Sequence, residues 1–449
     1  MPVQKKERLF TNAMLLALIL PLVAEQAVNL TVGFCDSIMV SAVGEAAVSG
    51  VPLIDNINQL LLNIFSALST GGAVITGQYL GRKEKDLAGE SADALLRSMM
   101  WLSCGLTIVM YAIRGFILGV VFGQISADVY QSAHTYLMIV NLSIPFMGMY
   151  NSAGAVMRVT GDSRRVFLVS LGMGIVNLIG NTIGIYVLHA GIAGVAVPTL
   201  VARAAGGVGM LLMLKYNKTL SASPHMLRRS PKGMLGRILN IGIPNGLENG
   251  LFQLGKIVLV SLVSAFGTAA IASNAVAGSL AGIQVIPGFA INLGLTTVVS
   301  RCAGAGDYEQ VRYYTKKLLA FSYLSVAVIS LILLGFMDPI LHGLYTLSDE
   351  TAALTSQLMI LHTVFVMTVW PISFGLPNTF RAVGDVRYTM VIAIVSMWVF
   401  RLVGGYVIGS MMGYGVVGVW IAMMLDWVFR MVMFLIRYFR GTWERFRAI

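Results

Sequence analysis

The sequence predicts an all-α integral membrane protein of about twelve transmembrane helices in two pseudo-symmetric six-helix lobes, and three observations carry that prediction. The 449 residues are 57% hydrophobic and 11% charged, with a mean hydropathy of +0.80, a composition no ordinary soluble domain has. Apolar runs of about 20 residues or more recur along the chain, each long enough to cross a bilayer as a helix. The chain also repeats itself at one offset, since 244 − 21, 248 − 25 and 267 − 44 all give 223, pairing Pro21 with Pro244, Glu25 with Glu248 and Gly44 with Gly267. The same offset joins Gly71 to Gly294, Gly81 to Gly304, Arg158 to Arg381, Gly161 to Gly384, Asp162 to Asp385 and Arg164 to Arg387. A gap-free register that matches Pro, Glu, Asp and Arg as well as Gly is the mark of a duplication.

The repeat sets the domain plan: an N-terminal lobe over 1–214, a cytoplasmic basic linker over 215–235 and a C-terminal lobe over 236–449. The linker KYNKTLSASPHMLRRSPKGML is the one polar stretch between the halves, rich in Ser, Pro and Lys. The leading MPVQKKERLF reads as a retained end, with no small-residue cleavage site. A net charge of +11 invites a nucleic-acid reading, but its distribution excludes one. Lys5, Lys6 and Arg8 precede the first helix; Arg82, Lys83 and Lys85 follow the second; Arg158, Arg164 and Arg165 follow the fourth; and Lys215, Lys218, Arg228, Arg229, Lys232 and Arg237 join the halves. The alternate connections hold Glu45, Asp128, Asp338, Asp349 and Glu350 instead. By the positive-inside rule a multi-pass protein of the cell (inner) membrane is expected, with both termini and the linker cytoplasmic. Six spans in each half bring each lobe back to its starting side, which implies halves related by an axis along the membrane normal.

The first helix, about 11–40, carries Glu25, Asn29 and Asp36 at i, i+4 and i+11, one polar face on an apolar helix. Pro21 removes a backbone donor just before that face. An acid kept in hydrocarbon costs about 2.5–3.5 kcal/mol at mid-membrane, so Asp36 reads as functional rather than incidental. The second helix, about 48–79, repeats the pattern with Asp55, Gln59 and Asn63. Helices three and four are expected at about 92–122 and 128–158, the fourth carrying Asn141, Pro145, Asn151 and Ser152. Five and six follow at about 165–188 and 191–214, with Asn177 and Asn181 one turn apart on the fifth and Pro198 and Thr199 expected to interrupt the sixth. The second repeat places helices at about 236–264, 271–302, 313–337, 350–381, 387–409 and 415–438. Cys35, Cys104 and Cys302 show no metal-ligand spacing and imply no disulfide framework, and the five histidines form no zinc motif. Neither pattern points to a bound transition metal.

On these residues the chain resembles the MATE (multidrug and toxic compound extrusion) transporters. The likeness lies in PLVAEQAVNLTVGFCDSIMVSAVGEAAVSG, the GQYLG turn, GIPNGLENGLFQLGK at the opening of the second half, and SAFGTAAIASNAVA, in order across both repeats. It implies two six-helix lobes around a central cleft and export of small organic compounds, drugs or toxins, in exchange for H⁺ or Na⁺ by alternating access. It also implies that Asp36, matching the family's first-helix coupling acid, forms a cation site with Asn177, Asn181 and Thr199. Where relatives can carry an Asp on helix five this chain has Asn181, leaving Asp36 as the expected sole carboxylate. The acids that another branch adds in helices seven and ten are absent around Phe252 and in VWPISFGLPNTF, so a site in the N-terminal lobe only is expected.

Glu25, Asn29, Gln59, Asn151 and Lys256 are the candidates for lining the substrate cavity. Glu25 and Glu248 recur symmetrically, which points to a shared structural or gating role. Lys256, where the first repeat has Gly33, is expected to pair with an acid such as Glu248 or else to meet an anionic group of the cargo. The leading functional expectation is a secondary antiporter acting as a monomer, with a small-molecule substrate, the lipid bilayer as surroundings, and no cofactor besides the coupling ion H⁺ or Na⁺. The alternative is a flippase for a lipid-linked or amphipathic anionic substrate of the same superfamily. No cluster of acids, His or nucleophile suggests an enzyme, and no filter-like repeat suggests a channel.

Overall fold

The computed structural model describes residues 8–121, 123, 126–217, 219–220, 233–345, 347–446 and 449. Lys5, Lys6, Lys218, Arg228, Arg229 and Lys232 of the predicted basic segments lie outside the described residues. The described chain is helical throughout, and 11 of its helical stretches are long and apolar enough to cross a membrane. The helices of the first half are α1 (Asn12–Ser41), α2 (Glu45–Gly81), α3 (Lys85–Ala112), the divided pair α4 (Ala127–Val140) and α5 (Ile144–Val159), neither of which is among the 11, α6 (Ser163–Thr182) and α7 (Ala193–Lys215). The second half runs α8 (Met234–Ser264), α9 (Thr268–Gly304), α10 (Tyr308–Gly335), α11 (Asp349–Thr368), α12 (Leu376–Val383), α13 (Val386–Val395) and α14 (Gly415–Phe439).

The duplication reaches the helix ends: 268 − 45, 304 − 81, 308 − 85, 335 − 112 and 386 − 163 all give 223. Two of the repeated glycine pairs earn their place through backbone geometry. Gly44 and Gly267 have φ of 131° and 93°, and Gly161 and Gly384 have 93° and 105°, conformations that a Cβ disfavours. These glycines end one helix and open the next at the same points of each half.

The fourth predicted span, 128–158, is two helices, and proline accounts for the division. Pro145 has no N–H to give the carbonyl of Asn141, and the chain tightens there into a single 3₁₀ turn, Asn141–Ser143. Its counterpart, predicted at 350–381, divides too, with a π-helical segment Pro371–Gly375 between α11 and α12. Pro198 behaves differently from expectation. It does not interrupt α7, because the acceptor it deprives is Gly194, in the first turn, and the helix continues unbroken to Lys215.

Two compact units divide the described chain, one over Asn12–Gly246 with Ile449, the other over Leu247–Ala448 with residues 8–11. In the first unit, α6 and its π-helical continuation Ile183–Val187 pack closely on α7. A Cβ on Gly194 would lie 2.6 Å from the Gly184 carbonyl oxygen, so only glycine allows the two backbones to meet. Gly194→Val is expected to force these helices apart at a cost of about 1–3 kcal/mol or more, seen as a lower thermal midpoint of the purified protein. An unchanged midpoint would refute this account of the contact. In the second unit, the Phe10 N–H donates to Tyr314 Oη at 3.0 Å and that hydroxyl donates back to the Phe10 carbonyl at 2.7 Å. The start of the described chain is thereby tied to α10.

Candidate cation site

Each unit holds a buried Glu–Arg ion pair, and these two pairs are related by the repeat offset. Arg158 Nη2 on α5 lies 2.6 Å from Glu25 Oε1 on α1, and Arg381 Nη2 on α12 lies 2.5 Å from Glu248 Oε1 on α8. Glu25 is 2% exposed and also accepts from Tyr150 Oη at 3.4 Å. The expected pairing of Lys256 with Glu248 does not occur, because Arg381 occupies Glu248. Lys256 has no ion pair among the described residues, and its nearest electrostatic partner is another cation, Arg401.

Farther along α1 the residues predicted for a cation site meet. Asp36 on α1, Asn177 and Asn181 on α6 and Thr199 on α7 converge from three helices. Asn181 Nδ2 donates to Asp36 Oδ1 at 2.8 Å. One terminal atom of the Asn177 amide lies 2.7 and 3.2 Å from the two Asp36 oxygens, and its other terminal atom lies 3.2 Å from Thr199 Oγ1. Asn177, Asn181 and Thr199 are buried and Asp36 is half-buried. The one-turn spacing of the two Asn residues puts both amides on one face of α6, and the Thr199 hydroxyl is held by its own helix through the Val195 carbonyl at 2.9 Å.

With its nitrogen inward the Asn177 amide donates to both Asp36 oxygens, an arrangement that suits an ionised carboxylate. Carboxylate, amide and hydroxyl oxygens form a hard donor set, suited to H⁺ or Na⁺ rather than to a thiophilic metal. No group of three His, Cys, Asp or Glu among the described residues is arranged to hold a metal.

Sequence reasoning expected Asp36 to be the sole carboxylate here, and the structure corrects this. Asp55 on α2 and Arg203 on α7 both act electrostatically on Asp36. Asp55 Oδ1 accepts from Tyr136 Oη at 3.2 Å and Asn58 Nδ2 at 3.4 Å, while Arg203 Nη1 donates to Ser143 Oγ at 3.1 Å. The polar stripe of α2 held the signal, but periodicity alone does not say which neighbour a stripe faces. Arg203, Asn58 and Phe65 line a small cavity with Met147 and Ile144, inside this unit. The other cavity candidates stay outside the cluster: Asn29 accepts from Ser170 Oγ at 3.0 Å, Asn151 donates to the Met147 carbonyl at 2.9 Å, and Gln59 is exposed.

Duplicated halves of membrane-length helices, divided helices and a buried oxygen-lined cluster are the features of a membrane transporter. Family comparison gives the particular group: the MatE pattern matches residues 21–183 and 244–407, and the chain belongs to the MatE family, whose members are ion-coupled transporters and not enzymes. It is similar to the uncharacterized transporter YisQ of Bacillus subtilis, 25% identical over 94% of this chain and 92% of that protein. It is also similar to a probable multidrug resistance protein NorM of Thermotoga maritima, 24% identical over 97% and 93% of the two chains. Its fold matches a multidrug resistance MATE family transporter in an outward-facing conformation, with a TM-score of 0.89 at 18% identity and 96% coverage of each chain. A crystal structure of MATE in the bent conformation matches with a TM-score of 0.86, also at 96% coverage.

Proposed function

We propose that this protein is a secondary antiporter that exports small organic compounds in exchange for H⁺ or Na⁺ by alternating access, with the ion bound at Asp36, Asn177, Asn181 and Thr199. The observation that carries the reading is the meeting of one half-buried carboxylate with two amides and a hydroxyl from three helices. A carboxylate so placed changes its interactions when an ion arrives, which an exchanger needs, because a ligand that binds two states equally shifts nothing. The names of the relatives, probable multidrug resistance proteins, support export of organic compounds as the task. The alternation of basic and acidic connections supports a cell-membrane protein with both termini cytoplasmic. A second reading, movement of an amphipathic anionic substrate, is favoured by one observation, the surplus of cations in the second unit.

Asp55 and Arg203 set the field in which the ion binds. Removing the Asp55 charge while Arg203 remains leaves the surroundings of Asp36 more positive and is expected to weaken the coupling cation about tenfold, roughly 1.4 kcal/mol. The test is efflux of fluorescent organic compounds, cationic and anionic in turn, from proteoliposomes under separately imposed H⁺ and Na⁺ gradients. One gradient should drive efflux, and Asp55→Asn should need about tenfold more of that ion for half-maximal rate. Efflux indifferent to both gradients would overturn the antiport reading. An unchanged ion requirement in Asp55→Asn would remove Asp55 from the site.

A further inference from the structure

The two halves carry opposite charge at one repeated position. Arg203 on α7 and Asp426 on α14 differ by 223 residues, so they occupy the same place in the duplicated frame. Around Arg203 the first unit gathers two carboxylates, Asp36 and Asp55. Beside Asp426 the second unit sets two guanidiniums, Arg430 on α14 and Arg401 on the π-helical segment Ser396–Val403, and a third cation, Lys256 on α8, acts electrostatically on Arg401. One half has two acids to one cation and the other has three cations to one acid.

Hydrogen bonding shows which of the three cations are already satisfied. Arg430 Nε lies 2.8 Å from Asp426 Oδ1 and 3.1 Å from Ser396 Oγ, and its Nη2 donates to the Ala393 carbonyl at 3.2 Å. Ser396 Oγ donates to the same Asp426 Oδ1, so that oxygen is fully engaged. Arg401 is not so provided. Its Nη1 stands 3.6 Å from Asp426 Oδ2, an oxygen that accepts no hydrogen bond, and its Nη2 has only the Met423 sulfur at 2.7 Å. A guanidinium has five N–H donors in a planar fork, and here its side chain is 14% exposed with no oxygen acceptor at hydrogen-bond distance among the described residues. Lys256 is exposed and unpaired. The ring of Phe252, one turn before Lys256 on α8, lies 5.5 Å from the Arg401 guanidinium and 5.4 Å from that of Arg430.

We propose that Arg401, over the Phe252 ring, and Lys256, one turn along α8 from that ring, form a binding site for the anionic head of an amphipathic organic compound, a carboxylate or a phosphate. The unfilled fork of Arg401 matches the paired oxygens of such a head, Lys256 adds a point charge, and Phe252 offers an apolar surface to the tail. A buried guanidinium with no oxygen acceptor at hydrogen-bond distance is costly, and an anionic ligand held by Arg401 and Lys256 relieves it. Asp426 and Arg430 act as positioning residues, since their mutual pair fixes the segment that presents Arg401. His362 takes no part: its Nδ1 meets Gln284 Oε1 at 2.6 Å, with its ring edge-on to Trp420 and Trp427. The inference rests on the reading of the chain as a carrier of small organic compounds and narrows the cargo.

The test is equilibrium binding to the full-length protein in nanodiscs, with no ion gradient. Three fluorescent probes share one twelve-carbon tail and end in a carboxylate, a phosphate monoester or a quaternary ammonium. Both anions are expected to bind at least tenfold more tightly than the ammonium, and their order identifies the head the site prefers. Lys256→Met removes an exposed side chain with no partner to disturb, and should weaken both anions about tenfold while leaving the ammonium unchanged. Arg401→Gln should do the same. Equal binding of anions and ammonium, or undiminished anion binding by Lys256→Met, overturns the site. Because no gradient enters the measurement, loss of ion coupling in the efflux assay and loss of anion binding here are separate failures.

Discussion

Asp36→Asn is expected to abolish gradient-driven export while leaving substrate binding in place. The amide keeps the shape of a protonated carboxyl group and its hydrogen bonds to Asn181 and Asn177, yet it releases no proton and brings no charge to a cation. The energy at stake is large. An inward charge gains about 2.3 kcal/mol per 100 mV, and a pH unit adds about 1.4 kcal/mol. One proton under both gradients therefore supports roughly a several-hundredfold gradient of a neutral cargo. All of that is lost when the site no longer alternates between charged and neutral, and accumulation should fall to the passive level. Reconstituted Asp36→Asn protein that retains near wild-type efflux, with the same H⁺ or Na⁺ dependence, would end the assignment of the coupling site to this cluster.

The second large effect is structural and should appear twice, once in each half. Glu25→Ala leaves Arg158 buried without its counter-charge, and Glu248→Ala does the same to Arg381. Breaking a buried pair by removing one partner costs about 3–5 kcal/mol, most of it the stranded charge. Each variant is expected to unfold at markedly lower temperature or denaturant concentration in detergent. The paired replacements Glu25→Leu with Arg158→Leu, and Glu248→Leu with Arg381→Leu, remove both charges and should recover most of the loss. Single variants as stable as the parent would show that these pairs do not hold the helices together. Full stability accompanied by loss of export would instead assign the pairs to the transport cycle.

The sequence by itself determined the class, the duplication and most helix boundaries of this protein. Hydropathy alone requires membrane spans, because a backbone in hydrocarbon must satisfy its own hydrogen bonds. The 223-residue offset, read from a handful of Pro, Glu, Gly and Arg positions, reappears in the helix ends and in the two ion pairs. Asp36, Asn177, Asn181 and Thr199 were legible as a group through helical spacing and family resemblance. Their convergence was an expectation until α1, α6 and α7 packed together.

What only the tertiary structure decided was which polar groups face one another. Asp55 was visible as a member of a stripe on α2, but a stripe has direction only once a neighbour is placed, and the approach of Asp55 and Arg203 to Asp36 is such a placement. Glu248 lay two turns from Lys256 in sequence, yet it pairs with Arg381, 133 residues away, because α12 brings a guanidinium to its carboxylate. Pro145 and Pro198 look alike in sequence and act differently: one stands where a span divides and the other lies inside a helix that runs on unbroken. The cation surplus of the second unit was hidden for the same reason. Lys256, Arg401 and Arg430 stand far apart in the sequence, and charges so separated sum to a site only when packing brings them together.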